Sequence, residues 1–305
     1  MCRVVGYLGR PITVEHILYE TNSSLVTQVH RPQMTASLNL AGFGMAAWDA
    51  TSPQPDEPFV YRTTSLPAFD RNLRNLSRKI DATCLLAHVR GVTFGGDEVV
   101  SEQNLHPFRF RGAGVTLAHN GHLRDFASMR YDLVEHVRPE LATSIAGTTD
   151  SEWLYALLLS QLADPFGAPE ADELVDAIVK SLAIVREARA RHGIETSSPA
   201  NLFVTTGRCL VATRFSFDYG WYPDDDPLLE VDLPYVSLWY TIGGRYIERS
   251  GEWEMVGDGP EESLLIGSEP LTKDTSTWLE VPEYSVLSAS LRDGVVETES
   301  RDLVV

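Results

Sequence analysis

The sequence predicts an α+β layered sandwich built as a single domain over residues 1–305. Short apolar segments of strand length fill much of residues 3–121, three helical patterns follow between residues 123 and 192, and closely spaced strand patterns return from Asn201 onward. No internal repeat, low-complexity linker or break in composition divides the chain. Strands at both ends with helices clustered between them therefore indicate sheets and helices packed in layers.

The composition is typical of a soluble globular protein, with 43% apolar and 22% charged residues. A formal net charge of −18 argues against a nucleic-acid-binding surface, because such surfaces draw their affinity from clustered Lys and Arg. Three cysteines, Cys2, Cys84 and Cys209, form no CxxC pair and leave one over, which argues against a disulfide framework. Since there is no signal-peptide pattern and no apolar run of about 20 residues, we predict a cytoplasmic protein without a membrane partner.

The first half of the chain alternates predicted strands and helices. RVVGYLG at the start predicts a buried strand, and a helical segment is expected to begin near Pro11 and to extend through residue 35. AGFGMAAW at 41–48 predicts a strand, and apolar residues at helical spacing predict a helix over 67–80. The apolar run ATCLLAHVR at 82–90 has the length of a strand and ends abruptly in an arginine.

GVTLAHNG at 114–121 repeats that design, so both strand ends are predicted to deliver side chains to a site. Helices are predicted at 123–139, 150–162 and 170–192, and the longest carries an apolar face that is typical of core packing. Consecutive antiparallel strands are predicted for the segments that follow: NLFVTTG, RCLVATRF, VSLWYTI, EWEMVG, SLLIGS, YSVLSASL and GVVETES.

Two groups of side chains could in principle bind a metal ion. The acidic loop YPDDDPLLEVD at 222–232 lacks the ligand spacing of a cation site. Neither the pair His88 and His119 nor the H-x-x-H pair His119 and His122 has a third ligand at recognisable spacing. We therefore predict no metal. The sequence also contains no P-loop or GxGxxG fingerprint, and we predict no cofactor.

Cys2 is the first candidate catalytic residue. Removal of Met1, which is normal before a small side chain, leaves a free α-amine on the same residue as the thiol. Such an amine has a pKa of about 7.7–8.0 and accepts a proton near neutral pH, so one residue could supply both a nucleophile and its base. The structural alternative is a small buried hydrophobe at the start of a strand.

Three further segments carry candidate site residues: AHVRGVTFGG with Arg90, LAHNG with Asn120, and GTTDSEW with Asp150. Each has a structural alternative. Arg90 could be a surface residue, HNG a tight turn, and TDSE a helix cap. Taken singly, none of these segments specifies a function.

Together and in this order, the segments resemble the glutaminase domain of class II glutamine amidotransferases, which are members of the N-terminal-nucleophile hydrolases. That family begins its mature chain with a cysteine, followed by AH-x-R and HNG strand ends and by an SD-x-E or TD-x-E helix start. The matching positions are Cys2, 87–90, 119–121 and 149–152. The resemblance implies a four-layer αββα sandwich.

The resemblance also implies the catalytic roles. Cys2 attacks the δ-carbonyl of glutamine or of a γ-glutamyl substrate, with its own α-amine shuttling the proton. The Asn120 side chain and the Gly121 backbone N–H form an oxyanion hole for the negative charge that develops on the carbonyl oxygen.

Substrate-binding roles follow from the same resemblance. The planar guanidinium of Arg90 suits the substrate α-carboxylate, and Thr93 helps to hold that carboxylate. Asp150 supplies the complementary charge for the α-ammonium group. One cation and one anion flanking a short acyl chain are what recognition of an α-amino acid through its γ-side requires.

The resemblance is strongest to compact stand-alone members, which start MCR and carry a GFG-x-x-x-W strand and an SEPL segment. Here these motifs lie at 1–3, 42–48 and 268–271, so the resemblance extends over nearly the whole chain. It implies a hydrolase of γ-glutamyl conjugates, similar to those of γ-glutamyl-peptide turnover and ergothioneine synthesis. No sugar-isomerase, phosphoribosyl or nucleotide-binding region is recognisable.

Three functions are therefore compared. The favoured one is a free-standing amidohydrolase that acts on a small-molecule γ-glutamyl substrate and releases glutamate. The second is a glutaminase subunit that supplies ammonia to a separate synthase partner, and the third is a non-catalytic protein that binds γ-glutamyl metabolites. The sequence leaves open the leaving group and whether the chain forms a homo-oligomer.

Overall fold

The computed structural model describes residues 2–34, 38–92, 99–220 and 237–305. Its helices, besides a π-helical turn at His16–Glu20 and a 3₁₀ turn at Glu102–Asn104, are α1 (Leu25–Gln28), α2 (Arg71–Ser77), α3 (Phe126–Val134), α4 (Pro139–Ala142), α5 (Asp150–Gln161) and α6 (Ala171–Arg191). The strands are β1 (Arg3–Thr13), β2 (Phe43–Trp48), β3 (Phe59–Thr63), β4 (Asp81–Val89), β5 (Thr116–Gly121), β6 (Ser198–Thr205), β7 (Cys209–Arg214), β8 (Ser216–Phe217), β9 (Trp239–Gly243), β10 (Arg245–Arg249), β11 (Glu252–Val256), β12 (Ser263–Gly267), β13 (Leu279–Glu280), β14 (Ser285–Arg292) and β15 (Val295–Asp302).

Two antiparallel sheets form the centre of the molecule. The first has the strand order β13-β9-β12-β1-β4-β2-β3, and the second has the order β15-β14-β7-β6-β5. In the first sheet the amino-terminal strand β1 lies between β12 and β4. The start of the chain is therefore held in the interior of a sheet, where both of its neighbours can position it.

The side chains of β1 alternate between two apolar layers, as the pleat of a strand requires. Val4 and Leu8 pack between the two sheets, whereas Val5 and Tyr7 pack on the outer face of the first sheet. Gly6 points toward the second sheet, where a Cβ would lie 2.8 Å from a methyl carbon of Leu210. The sheets therefore approach closely here, and a larger side chain would push them apart.

Helices and a hairpin cover the outer faces of the sheets. Helices α5 and α6 bury an apolar layer against the second sheet. The outer face of the first sheet is covered by the π-helical turn, by α1 and by the hairpin β10–β11, which contributes Tyr246 and Trp253. The predicted α+β sandwich is confirmed, although short elements form one of its outer layers.

Most of the predicted elements occur, including α2 within 67–80 and α5 at the predicted start. The helix expected near Pro11 is wrong, because β1 continues to Thr13 and the first helical turn begins at His16. The pairing of β1 with β4 is irregular between Leu8 and Ile12, so Pro11 occupies a bulge where its missing N–H costs no ladder hydrogen bond.

The helix predicted over 123–139 is present only as the shorter α3, and a separate short helix begins where the prediction ended. Helix α3 ends at Val134, and Pro139 occupies the first position of α4, a place where its missing N–H and fixed φ are tolerated. Strands β3, β8, β10 and β13 were not predicted. The acidic loop at 222–232 lies outside the described residues, and within the described part of the chain no helix is long and apolar enough to cross a membrane.

Candidate active site

Cys2 lies immediately before β1 in the chain and next to the end of the neighbouring strand β4 in the sheet. The register of the two strands pairs Arg3 with Val89, so the residues that follow β4 are brought beside Cys2. The backbone N–H of Gly91 lies 3.3 Å from the Cys2 Sγ, which in turn lies 3.7 Å from the carbonyl oxygen of Gly91. The thiol is half-buried, and Gly91, which it contacts, directly follows Arg90 in the sequence.

Arg90 is buried and held at both its backbone and its side chain. Its N–H donates to the Gly42 carbonyl and its own carbonyl accepts from the Ala41 N–H, both over 2.9 Å. Its guanidinium donates to the carbonyl of Val99 over 2.8 Å. Arg90 is thus a fixed cation near Cys2, whereas Thr93, the predicted second carboxylate ligand, lies outside the described residues.

Asn120 lies near the end of β5 and is connected to the strand that carries Cys2. Ala118 packs between the sheets, so the alternation of β5 directs Asn120 to the same side and His119 to the helix side. The Asn120 Nδ2 donates to the hydroxyl of Ser268 over 3.0 Å, and that hydroxyl also accepts from the Val4 N–H over 3.0 Å.

Gly121 has no room for a side chain. A Cβ at this position would lie 2.0 Å from the Pro199 carbonyl oxygen of the neighbouring strand β6 and 2.4 Å from the His119 Nε2. The sequence HNG therefore ends a strand here and does not form a hairpin turn. Glycine keeps the backbone of this strand end accessible and next to Asn120.

Asp150 begins α5, whose N-cap is Thr149, and faces the end of β5. Its Oδ2 accepts from the Leu123 N–H over 2.7 Å, and its Oδ1 accepts from the Ser151 hydroxyl over 3.1 Å. Ser151 also lies 2.9 Å from the Nδ1 of His119. These contacts join the acidic helix start to the strand end that carries Asn120 and Gly121.

The loop before α5 is held by two side chains to which the sequence analysis gave no role. The carboxylate of Glu152 accepts from the backbone N–H groups of Ala146 and Gly147 over 3.1 and 2.6 Å. Asn104 accepts from the Thr148 N–H over 2.8 Å and donates to the Val99 carbonyl over 3.0 Å. Burial raises the pKa of Glu152, while the two N–H donors lower it in part.

A cluster of buried histidines lies behind the site. The rings of His88 and His106 lie 4.2 Å apart between centroids in a tilted contact, and His106 also contacts Phe108 edge-on. Burial, and secondarily the charge of Arg90, lowers the pKa of His88 to about 3, and burial holds the pKa of His106 well below its usual value. These imidazoles are therefore neutral near pH 7, and the described residues contain no cluster of three metal-ligating side chains.

The three thiols differ in their surroundings. Cys84 and Cys209 are buried, and burial raises the pKa of Cys84 to about 12 and also raises that of Cys209. Both are poor nucleophiles near neutral pH, because the thiolate is the reactive form. Cys2 is the most accessible of the three thiols, and among them it is the candidate nucleophile.

Sequence reasoning missed the functional interest of Ser268 and Glu269. Glu269 is buried, accepts from the backbone N–H groups of Gln33 and Met34, and lies 3.7 Å from the Arg3 Nε. The signal that could have identified the pair is the SEPL segment, which served only as a family marker. The structure brings both residues to the start of β1.

The model of the class II glutamine amidotransferase family matches residues 23–222, a region that includes Arg90, Asn120, Gly121 and Asp150 and begins after Cys2. The chain is 27% identical over 307 aligned residues to the probable glutamine amidotransferase DUG3 of Saccharomyces cerevisiae, covering 94% of this chain and 81% of that one.

Two solved structures share the fold. The class II glutamine aminotransferase domain protein of Silicibacter pomeroyi superposes with a TM-score of 0.61 at 21% identity, and the match covers all of both chains. The glutamine phosphoribosylpyrophosphate amidotransferase of B. subtilis superposes with a TM-score of 0.56 at 18% identity, covering 98% of this chain and 49% of that one.

The two stacked antiparallel sheets between helical layers thus have the N-terminal-nucleophile hydrolase fold. Because the family model matches about two thirds of its length, the chain belongs to the class II glutamine amidotransferases. This is a family of enzymes that act on the amide group of glutamine, and cysteine dependence is typical of it.

Proposed function

We propose that this protein hydrolyses the γ-glutamyl amide bond of glutamine or of a γ-glutamyl conjugate, with Cys2 as nucleophile after removal of Met1. The observation that carries the proposal is the position of the Cys2 thiol beside the Gly91 N–H, next to the buried Arg90 cation. A cysteine that served only as a core hydrophobe would have no need of an accessible thiol at a strand end.

The reaction proceeds in two halves. In the first, the Cys2 sulfur adds to the δ-carbonyl carbon, the thiol proton passes to the α-amine and then to the leaving nitrogen, and the C–N bond breaks to leave a thioester. In the second, water adds to the thioester carbonyl, the C–S bond breaks, and glutamate leaves as the thiol regains its proton. Both tetrahedral intermediates place negative charge on the carbonyl oxygen, which the Asn120 amide and the Gly121 N–H stabilise.

Recognition of the glutamyl end rests on charge. Arg90 binds the α-carboxylate with the assistance of Thr93, and Asp150 binds the α-ammonium group. Although both Asp150 oxygens accept hydrogen bonds, a carboxylate has further lone pairs and keeps its negative charge, so it can still attract a cation. These contacts select substrates that carry a γ-glutamyl group. They do not specify the leaving group.

A second candidate function is that of a glutaminase that supplies ammonia to a synthase partner. It is favoured by the match to the B. subtilis amidotransferase, of which this chain corresponds to 49%. The matches that cover 81% of the yeast relative and all of the Silicibacter pomeroyi chain favour free-standing hydrolysis instead. We therefore favour hydrolysis by a single domain over residues 1–305, in the cytoplasm, where its three free thiols stay reduced.

The deciding experiment measures glutamate release from glutamine, from γ-glutamyl amides and dipeptides, and from α-linked isomers of the same dipeptides. The parent chain is compared with Cys2→Ala and with Cys209→Ala, a matched control that removes a buried thiol distant from the N-terminus. We expect release from γ-linked conjugates in the parent and in Cys209→Ala, and none in Cys2→Ala.

Each other outcome has a defined meaning. Cys2-dependent release chiefly from glutamine favours the ammonia-supplying subunit. Equal release by Cys2→Ala and the parent contradicts the nucleophile assignment. Binding of γ-glutamyl compounds without release from any of them supports the non-catalytic binding protein.

A further inference from the structure

Ser268 occupies a junction between the two halves of the proposed site. It directly follows β12 and is only 5% exposed. Its backbone N–H donates to the Val4 carbonyl over 3.0 Å, and its hydroxyl accepts from the Val4 N–H over 3.0 Å. Ser268 therefore holds the strand that carries Cys2 at a point two residues from the thiol.

The same hydroxyl holds Asn120 from the opposite sheet. The Asn120 Nδ2 donates to the Ser268 Oγ over 3.0 Å, and the buried Oδ1 of Asn120 has no hydrogen-bond partner among the described residues. An asparagine amide rotates in a broad, two-fold torsional profile, so a single well-placed partner decides which way it points. The amide nitrogen has two hydrogens, and the bond to Ser268 leaves the second one available.

Contacts made by the neighbouring residue also hold the segment that contains Ser268 against the start of β1. Glu269, which is 1% exposed, lies 3.7 Å from the Arg3 Nε, and the Arg3 guanidinium donates to the Cys2 carbonyl over 2.9 Å. The segment that follows β12 thus holds the backbone from Cys2 to Val4. A displacement of Ser268 would move the oxyanion donor and the nucleophile relative to each other.

We infer that Ser268 is a positioning residue that orients the Asn120 amide toward the carbonyl oxygen attacked by Cys2. The inference rests on the proposed function. Ser268 does not contact the substrate in this account. It acts by keeping one N–H of Asn120 engaged, so that the other is aimed before the reaction begins, which is the condition under which an oxyanion donor is effective.

The test compares Ser268→Ala with Ser268→Thr, which keeps the hydroxyl, and with Ser263→Ala. Ser263 is a matched control, because it is a buried serine on β12, the strand that Ser268 follows, and its hydroxyl also contacts β1, at Tyr7 over 3.1 Å. We expect Ser268→Ala to lower kcat about 10- to 100-fold, less than the roughly 10²- to 10³-fold cost of deleting an oxyanion donor. KM changes less than about threefold, Ser268→Thr recovers most of kcat, and Ser263→Ala leaves kcat within about twofold of the parent.

Two further readouts separate positioning from general damage to the fold. The rate of Cys2 alkylation by iodoacetamide stays within about twofold in Ser268→Ala, because direct attack on an alkyl halide forms no oxyanion. In a double-mutant cycle with Asn120→Ala, removal of the Ser268 hydroxyl has little additional effect on kcat. Additive losses in that cycle, or equal kcat losses in Ser268→Ala and Ser263→Ala, overturn the inference alone. A parent chain without Cys2-dependent release overturns the proposed function and the inference together.

Discussion

The backbone N–H of Gly91 lies 3.3 Å from the sulfur of Cys2, so the thiol of the second residue meets the end of a strand 89 positions further along the chain. This contact follows from the antiparallel pairing of β1 with β4, in which Arg3 is opposite Val89. The pairing brings the thiol beside Gly91, the residue that follows the buried Arg90. Neither the cysteine nor the arginine could create such a site alone.

Arg90→Ala should weaken the use of substrates with a free α-carboxylate by about 10- to 100-fold in kcat/KM, the cost of one charge-assisted hydrogen-bonded contact. The loss should appear mainly in KM, because the carboxylate is bound equally before and during the reaction. Steady-state rates are compared for a γ-glutamyl amide and for its α-methyl ester. Equal losses on acid and ester would remove Arg90 from the binding role.

Gly121→Ala should abolish activity and lower the free energy of unfolding by about 1–3 kcal/mol or more, because the new Cβ would overlap the Pro199 carbonyl oxygen. Gly259→Ala is the matched control, since no atom lies within 4 Å of a Cβ at that position. That control should stay within about 0.5 kcal/mol of the parent. Urea unfolding measures both variants, and an active, equally stable Gly121→Ala would contradict the close approach of β5 and β6.

Acidification below about pH 6.5 should destabilise the protein through its buried histidines. Burial lowers the pKa of His88 in the folded chain to about 3, whereas in the unfolded chain it has the usual value near 6.5. Between these two pH values, His88 binds a proton in the unfolded chain but not in the folded chain. Stability therefore rises with pH in this window, by about 1.4 kcal/mol per pH unit for one such histidine at the centre of the window.

Urea unfolding of the parent between pH 4.5 and pH 7.5 measures this dependence, and His88→Gln should reduce its slope. The control is His30→Asn, which removes an exposed histidine, and the slope in His88→Gln should be smaller than the slope in this control. An equal slope in the parent and in His88→Gln would mean that His88 is not the source of the pH dependence.

Local sequence patterns identified the strand and helix elements wherever apolar periodicity was strong. Strand β3 was missed because it lies at the edge of its sheet, where its residues are exposed or half-buried and leave no apolar alternation. The extension of β1 beyond Pro11 depends on a bulge opposite β4, a contact between residues that are distant in sequence. Propensity around Pro11 alone could not reveal that contact.

The candidate site was predicted as a set of residue types but not as a geometry. Cys2, Arg90, Asn120 and Asp150 were all named from motifs, because Cys2 precedes an apolar strand, Arg90 and Asn120 stand at strand ends, and Asp150 stands at a helix start. The role inferred for Ser268 could not be predicted, since it rests on a hydrogen bond to Asn120 between the two sheets. Such a contact becomes visible only after the sheets have been stacked.

The central claim is that Cys2, freed of Met1, forms a thioester with the γ-glutamyl group. Intact-mass measurement after rapid acid quenching of the parent chain with a γ-glutamyl amide tests it directly. The account predicts a chain that lacks Met1 and carries one glutamyl acyl group, mapped by peptide fragmentation to Cys2 and absent from Cys2→Ala. Full activity in a chain that retains Met1, or an acyl group located on another residue, would contradict it.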